Sequence, residues 1–278
     1  MHFAQSHHFG PVQSLQMGVG YFAPPPVKVH AFLVDGLLID TGPPKLEKEL
    51  LAWLEDKPFQ QAFITHHHED HSGNVNGLHR RFQRPIYGSA ACSRLAQGQV
   101  RTSIPQLIYW GRPRYTNKVQ PYTQNLLHTE HHQFQLIPIP GHADDQVALF
   151  EPQQGWLFSA DAFVHPYIKY YMRYESMQQQ INALQKLIAL DFEQLFCCHT
   201  PLMKGGKKQL QQKLAYLQNY YAQVVHWHHK GCSPREIMAQ MQHKERWGQY
   251  LLSGGYMAAI NMVNAVLRDE QLTRKANA

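Results

Sequence analysis

Four side chains of types that commonly bind metal ions lie within six residues of one another. They are His66, His68, Asp70 and His71, directly after a short apolar segment at 62–65. Because residues two apart on an extended chain point to the same side, His66 and His68 can converge on one cation. Asp70 and His71 are adjacent, so a turn at this point would direct them towards a second cation. Imidazole nitrogen and carboxylate oxygen are ligands that suit zinc, iron or manganese.

Four donors cannot complete two metal sites, so further ligands must come from later in the chain. Three candidates, His142, Asp161 and His199, each follow an apolar run that predicts a strand. The chain has 19 histidines, and a short His-x-His pattern could therefore arise by chance. A six-residue pattern that is followed by three suitably placed donors is far harder to explain by chance. The sequence predicts two divalent metal ions, with zinc expected and iron or manganese as alternatives.

Strands and helices alternate in the pattern that must position these residues. Apolar runs predict strands at 29–34, 37–40, 62–65, 85–88, 134–139, 147–151, 155–159 and 195–198. Apolar residues at helical spacing predict helices at 44–54, 177–190 and 207–229, and a final helix at about 255–267. Such interleaving is typical of an α/β fold whose sheets are covered by helices.

Two segments differ from this pattern. Residues 93–125 show no clear period and contain several Pro, Gly and aromatic residues, so we expect a lid over the pocket. Residues 204–278 carry 11 Lys/Arg and 4 Asp/Glu, a net charge of +7, whereas residues 1–203 have a net charge of −1. We predict a catalytic domain at 1–203 and a small, mainly helical, winged-helix-like domain at 204–278.

Composition excludes several classes of protein. No run approaches the roughly 20 apolar residues of a membrane span. The first residues lack the basic and apolar regions of a signal peptide. The four cysteines, Cys92, Cys197, Cys198 and Cys232, show no spacing of a thiolate zinc site or a disulfide framework. We expect a cytoplasmic protein with reduced cysteines and no membrane partner.

The ordered motifs resemble those of the metallo-β-lactamase superfamily over roughly residues 12–203. They are Asp40-Thr41-Gly42, the His-x-His-x-Asp-His stretch at 66–71, Gly141-His142, Asp161 and His199. This resemblance implies a four-layer αβ/βα sandwich with the metals at one edge between the sheets. It implies that His66, His68 and His142 bind the first metal, that Asp70, His71 and His199 bind the second, and that Asp161 bridges both.

Two divalent ions can share a bridging water and lower its pKa towards neutrality, so we expect hydrolysis by that hydroxide, with Asp70 as the catalytic carboxylate that orients it and carries a proton. We expect an ester-like carbonyl in a small substrate, such as a thioester or a lactone. Lys169-Tyr170-Tyr171 is similar to a substrate-holding segment of glyoxalase II. Lys169 and Tyr171 are therefore candidate substrate-binding residues, and His165, close to Asp161, is a third.

Two other functions stay open at this point. The run Gly-His-Ala-Asp-Asp-Gln at 141–146 is similar to one in a β-lactamase-like endoribonuclease branch that also has a helical C-terminal segment. A metal-dependent phosphodiesterase or endoribonuclease with RNA as partner is therefore the alternative. A non-catalytic metal-binding protein is disfavoured, because all seven candidate ligands are present. We also expect that the protein can form a homodimer.

Overall fold

The larger of two facing β-sheets begins at the first residues of the chain. The computed structural model describes residues 1–21, 23–98, 102–169 and 171–276. Seven strands pair in sequence order in this sheet, antiparallel from β1 to β4 and parallel from β4 to β7. They are β1 (His2–Phe9), β2 (Val12–Val19), β3 (Val29–Val34), β4 (Leu37–Ile39), β5 (Gln61–Ile64), β6 (Ile86–Gly88) and β7 (Val119–Pro121).

The second sheet has five strands in the order β13-β11-β10-β9-β8. Its members are β8 (Leu126–His128), β9 (Gln133–Pro138), β10 (Val147–Glu151), β11 (Trp156–Ala160) and β13 (Gln194–Cys197). A separate two-stranded ribbon joins β12 (Tyr171–Met172) to β14 (Met257–Ala258), so a late segment of the chain pairs with one that follows Asp161.

Helices flank the two sheets. They are α1 (Glu47–Leu54), α2 (Glu69–Ser72), α3 (Val75–Phe82), α4 (Ala90–Leu95), α5 (Ile104–Tyr109), α6 (Met177–Ile188), α7 (Gly206–His229), α8 (Pro234–Gln240), α9 (Trp247–Ser253) and α10 (Ile260–Ala276). Between the sheets, the Phe158 ring lies 4.6 Å from Phe196 and 5.5 Å from Phe32. Buried residues of α1 and α3 join this core, whereas α6 and α7 pack on the other face of the second sheet. The predicted four-layer α/β sandwich and the helical C-terminal region are confirmed.

Several elements differ from the sequence-based expectations. No strand was expected at residues 1–19, but β1 and β2 form a hairpin there; β1 is mostly polar and exposed, so it shows no apolar run, and its pairing with β2 makes it a strand. The last helix begins at Ile260 and not near residue 255, because Gly254 and Gly255 adopt φ of 59° and 72° and lead into β14.

The boundary at 203/204 and the winged-helix-like character of 204–278 stay predictions. Buried residues of α7, α8 and α10 share one core with α6 and β13.

In the segment 93–125, α5 and β7 replace part of the expected irregular chain, and residues 99–101 lie outside the described residues. No helix in the described ranges combines the length and the hydropathy needed to cross a membrane.

Candidate metal centre

The ends of four strands bring the predicted ligands to one edge between the sheets. The chain leaves β5 and runs through His66 and His68 into α2, which carries Asp70 and His71. His142, Asp161 and His199 follow β9, β11 and β13. Gly141 is required before His142, since its φ is +135° and a Cβ atom there would lie 2.6 Å from the backbone nitrogen of Gln180.

Three imidazoles form a first group of donors. Nδ1 of His68 lies 3.0 Å from Nε2 of His66 and 3.1 Å from Nε2 of His142. His66 is fully buried and His68 nearly so. These three nitrogens are therefore close enough together to share one cation, as the sequence predicts for His66 and His68.

The other four predicted ligands form an adjoining group. Nε2 of His199 lies 3.5 Å from Oδ2 of Asp70 and 3.4 Å from Oδ2 of Asp161. Nε2 of His71 lies 3.4 Å from Oδ1 of Asp161 and 3.7 Å from Oδ2 of Asp70. Oδ2 of Asp161 is also 3.4 Å from Nε2 of His142. Asp161 thus stands between the two groups, in the position that a bridging ligand needs.

The distances between the donor atoms and the presence of buried donor atoms without a partner both fit bound cations. Ligands about 2.0–2.1 Å from a tetrahedral ion lie roughly 3.4 Å apart, which matches these donor–donor distances. Among the described residues, Nε2 of His71 and Oδ1 of Asp161 are buried polar atoms without a hydrogen-bond partner. Buried polar groups are normally paired, so a cation between them would account for both.

The ring nitrogen that faces away from the centre has a polar neighbour in each of the five histidines. Such contacts fix the ring orientation and the nitrogen that is left for a metal. The neighbours are the Thr65 hydroxyl for His66 (3.1 Å), the Tyr174 hydroxyl for His68 (2.7 Å), the Asp40 carboxylate for His71 (2.8 Å), the Glu175 carboxylate for His142 (3.6 Å) and the Lys28 carbonyl for His199 (2.6 Å).

Asp40 is the most connected of these neighbours, and the sequence identifies it solely as part of a motif. Its φ of 63° is left-handed, which aspartate tolerates better than most residues. The carboxylate also accepts hydrogen bonds from the backbone nitrogen and the hydroxyl of Thr65. Asp40 therefore couples the start of the ligand stretch to the orientation of His71.

We predict that Asp40→Asn weakens binding of one metal ion by about 10- to 100-fold, the usual effect of losing a partner behind a ligand. The amide keeps the shape but loses the charge that faces the His71 Nδ1–H. Zinc titration against a competing chelator measures the affinity. Asp35→Asn, at another left-handed aspartate that lies at the β3–β4 turn, is the control. Equal zinc affinity in all three proteins would contradict the prediction.

The pKa values divide the histidines into two kinds. Burial lowers the pKa of His66 and of His68 well below the ordinary value, so both present neutral lone pairs. Burial also disfavours a charge on His199, but Asp161 and Asp70 outweigh it and raise the pKa to about 9. In the same way Asp161 and Asp70 raise the pKa of His71 well above its ordinary value. Protons thus occupy the region where two carboxylates would otherwise attract a cation.

A cavity of about 390 Å³ opens beside these donors. His68, Asp70, His142, Asp161 and His199 line it. Its walls are largely apolar and come from α5 and its end, from the segment after Asp161 and from β14; they include Pro105, Tyr109, Trp110, Phe163, Ile168 and Met257. Part of the expected lid at 93–125 therefore forms a wall, although its action as a lid stays a prediction.

The three predicted substrate-binding residues all line this cavity, but in different settings. His165 and Lys169 are exposed. Tyr171 is buried in β12, and its hydroxyl has no hydrogen-bond partner among the described residues. Tyr170 lies outside the described residues. Their roles towards a substrate stay predictions.

Lys213 in α7 also lines the cavity, and the sequence shows no signal for it beyond a position on a long helix. Its Nζ donates hydrogen bonds to the carbonyls of Ala162 and Phe163, at 2.8 Å and 2.7 Å. Burial lowers its pKa from 10.5 to about 8. The residue is 5% exposed, an unusual setting for lysine.

This burial predicts a pH dependence of stability. Between pH 8 and 10.5 the unfolded chain holds a proton on Lys213 that the folded chain has lost, so the free energy of unfolding increases with pH. We expect wild type to gain up to about 1.4 kcal/mol per pH unit over Lys213→Met in this window. Urea denaturation at three pH values measures it. A difference between the two proteins that is constant with pH would contradict the assignment.

Comparison with known sequences agrees with the geometry. The family model of the metallo-beta-lactamase superfamily matches residues 24–199. A hydroxyacylglutathione hydrolase of Nitrosomonas eutropha is 29% identical over 166 residues, which is 59% of this chain and 56% of that protein. The corresponding protein of Nitrosomonas europaea is 27% identical over 178 residues, covering 59% and 54%. The chain thus spans about half the length of the curated relatives it matches.

Solved structures show the same fold at low identity. A metallo-beta-lactamase from Pontibacter korlensis has a TM-score of 0.63 and 22% identity, and the match covers 78% of this chain and 100% of that one. A flavoprotein from Thermotoga maritima has a TM-score of 0.61 and 18% identity, with 81% and 62% covered. Because the family model matches more than half of the chain and spans all the ligand motifs, the chain belongs to the metallo-β-lactamase superfamily.

Proposed function

We propose that this protein is a dinuclear metal-dependent hydrolase that cleaves an ester-like carbonyl in a small substrate, a thioester or a lactone with an apolar acyl part. The observation that carries the proposal is the cavity, which candidate metal-binding side chains and apolar residues line together. The two relatives named hydroxyacylglutathione hydrolase support thioester hydrolysis, although this chain spans about half of their length.

The seven ligands would hold two divalent ions. His66, His68 and His142 would bind one, Asp70, His71 and His199 the other, and Asp161 both. A donor set of nitrogen and oxygen suits zinc, the ion that we expect, and also iron or manganese as alternatives. When bound, such a pair lowers the pKa of a shared water towards neutrality and polarises the substrate oxygen.

The chain's own residues would supply the rest of the chemistry. Asp70 lines the cavity, with Oδ2 at 3.5 Å from Nε2 of His199, and can take up the proton that the attacking water releases. Apolar side chains such as Trp110 and Phe163 exclude bulk water from the acyl group, which strengthens electrostatic interactions there. Lys169 and His165, both exposed and both lining the cavity, would bind a polar end of the substrate.

The alternative is a phosphodiesterase or endoribonuclease, which the net charge of 204–278 suggests. Its basic residues do not gather around the cavity: among the described residues of this segment, Lys213 alone of them lines it, and its ammonium is bonded to two carbonyls. Others lie over aromatic rings, as Lys207 does over Phe192 and Lys230 over Trp227. A cytoplasmic location and a homodimer stay predictions.

A substrate panel tests the proposal. Zinc-loaded protein is assayed with acyl thioesters, lactones, a nitrophenyl phosphodiester and a short RNA. We expect a thioester or lactone to give a kcat/KM at least about 100-fold above either phosphodiester, a difference of about 2.7 kcal/mol in transition-state stabilisation. Cleavage confined to RNA or the phosphodiester, with a steep salt dependence, would favour the alternative.

A further inference from the structure

The segment that follows β11 has an unusual backbone. Ala160 and Val164, on either side of Asp161, adopt φ of 46° and 52°. Left-handed backbone is rare for residues other than glycine, and most of all for a β-branched residue such as valine. Such conformations persist where surrounding contacts hold them in place, and they concentrate at functional sites.

Lys213 supplies two of the hydrogen bonds that hold this segment, and they are the two that a side-chain cation donates. Its Nζ binds the carbonyl oxygens of Ala162 and Phe163, so two successive peptide groups must turn towards one ammonium. The backbone nitrogen of Val164 donates to Sγ of Cys197 at 3.3 Å, a weaker interaction. A lysine that served only for packing would carry its ammonium to solvent along the helix surface. Lys208, on the same helix, is exposed.

We propose that Lys213 is a positioning residue for Asp161: by binding the carbonyls of Ala162 and Phe163, it fixes the backbone that aims the two carboxylate oxygens at the two groups of histidines. This inference rests on the proposed bridging role of Asp161. It assigns to α7, outside the region that carries the ligand motifs, a direct part in holding the metal centre together.

The geometry explains why an apolar residue would not serve at position 213. The side chain crosses from α7 to the loop and ends on two carbonyl oxygens that lie between Asp161 and the left-handed Val164. Methionine would fill the same space, but the Ala162 carbonyl would lose the donor Lys213, and the Phe163 carbonyl would keep only the backbone nitrogen of His165, at 2.6 Å. The loop would then relax from the left-handed conformation, and Asp161 would move relative to His142 on one side and His199 on the other.

The test is the zinc affinity of Lys213→Met, with Lys208→Met as the control on the same helix. We expect one of the two zinc ions to bind about 10- to 100-fold more weakly in Lys213→Met, the range found for residues that support a ligand. The control keeps wild-type affinity. Cobalt(II) in place of zinc gives a second readout, because the visible absorption of the weaker site changes when its ligand geometry changes. Unchanged affinities and spectrum would overturn the proposal.

A double variant separates positioning from general destabilisation. Glycine adopts the backbone conformation of Val164 without strain. Val164→Gly should therefore restore part of the zinc affinity in Lys213→Met, and no restoration would count against the proposal. If Lys213→Met does not fold, Lys213→Arg, which keeps charge and donors, should fold and bind both zinc ions with close to wild-type affinity; a loss of about 10- to 100-fold in a folded Lys213→Arg would overturn the proposal. A wild-type protein that binds fewer than two zinc ions would instead refute the proposed function.

Discussion

Asparagine in place of Asp161 should lower kcat/KM for the best substrate by about 10³-fold. Metal activation of water and substrate contributes several kcal/mol to an enzyme of this type, and each 1.36 kcal/mol changes the rate tenfold. The amide has the shape of the carboxylate, but it lacks the charge that lies 3.4 Å from ring nitrogens of His71, His142 and His199. Steady-state kinetics together with metal analysis measure the effect.

Asp144→Asn is the matched control for this substitution. Asp144 is a nearby aspartate that is exposed and does not line the cavity, so its variant should keep wild-type kinetics and metal content. Full activity and two bound ions in Asp161→Asn would show that Asp161 does not bridge the metals. A variant that loses activity but keeps both ions would restrict the role of Asp161 to catalysis.

Removal of the metals should abolish activity and lower the Tm by about 5–10 °C. A ligand at 100 times its Kd stabilises the folded state by about 2.7 kcal/mol, and in a protein of this size each kcal/mol shifts the Tm by roughly 2–4 °C. The protein is dialysed against a chelator, and its Tm and activity are measured before and after zinc is restored.

The response to zinc distinguishes a metal effect from damage. Activity and Tm should both return with zinc, and the Tm should depend on the free zinc concentration. Magnesium, which prefers octahedral oxygen coordination, should restore neither. A chelated protein with unchanged activity and Tm would exclude a metal-dependent reaction.

The clustering of the seven candidate ligands could be predicted, because these residues follow strands and strand ends meet at a sheet edge. All seven predicted residues lie together in the structure. Asp40, Glu175 and Lys213 could not be assigned roles in this way, because they reach the centre from a turn, a loop and a helix that are distant in sequence. Such contacts depend on tertiary packing, which leaves no periodic pattern in the chain.

In the fold, too, some elements can be predicted from the sequence and others depend on tertiary pairing. Strands such as β10 and β11 are buried along their whole length and read as continuous apolar runs, which the sequence shows directly. The strand β1 is mostly exposed and polar, and its place at the sheet edge depends on register with β2. The last helix starts later than expected because β14 pairs with β12, a contact between distant parts of the chain in which Tyr171 faces Ala258 and Met172 faces Met257.

The β12–β14 ribbon adds a late part of the chain to the cavity wall. The seven candidate ligands lie between residues 66 and 199 together with part of the wall, and Gln249 and Met257, close to the ribbon or in it, complete the wall that an acyl group would meet. Randomising 247–257 in a directed-evolution library should therefore yield enzymes with new acyl preferences and wild-type metal loading. In such an enzyme the acyl group that is accepted can change while the metal-binding residues and the hydrolytic reaction stay the same.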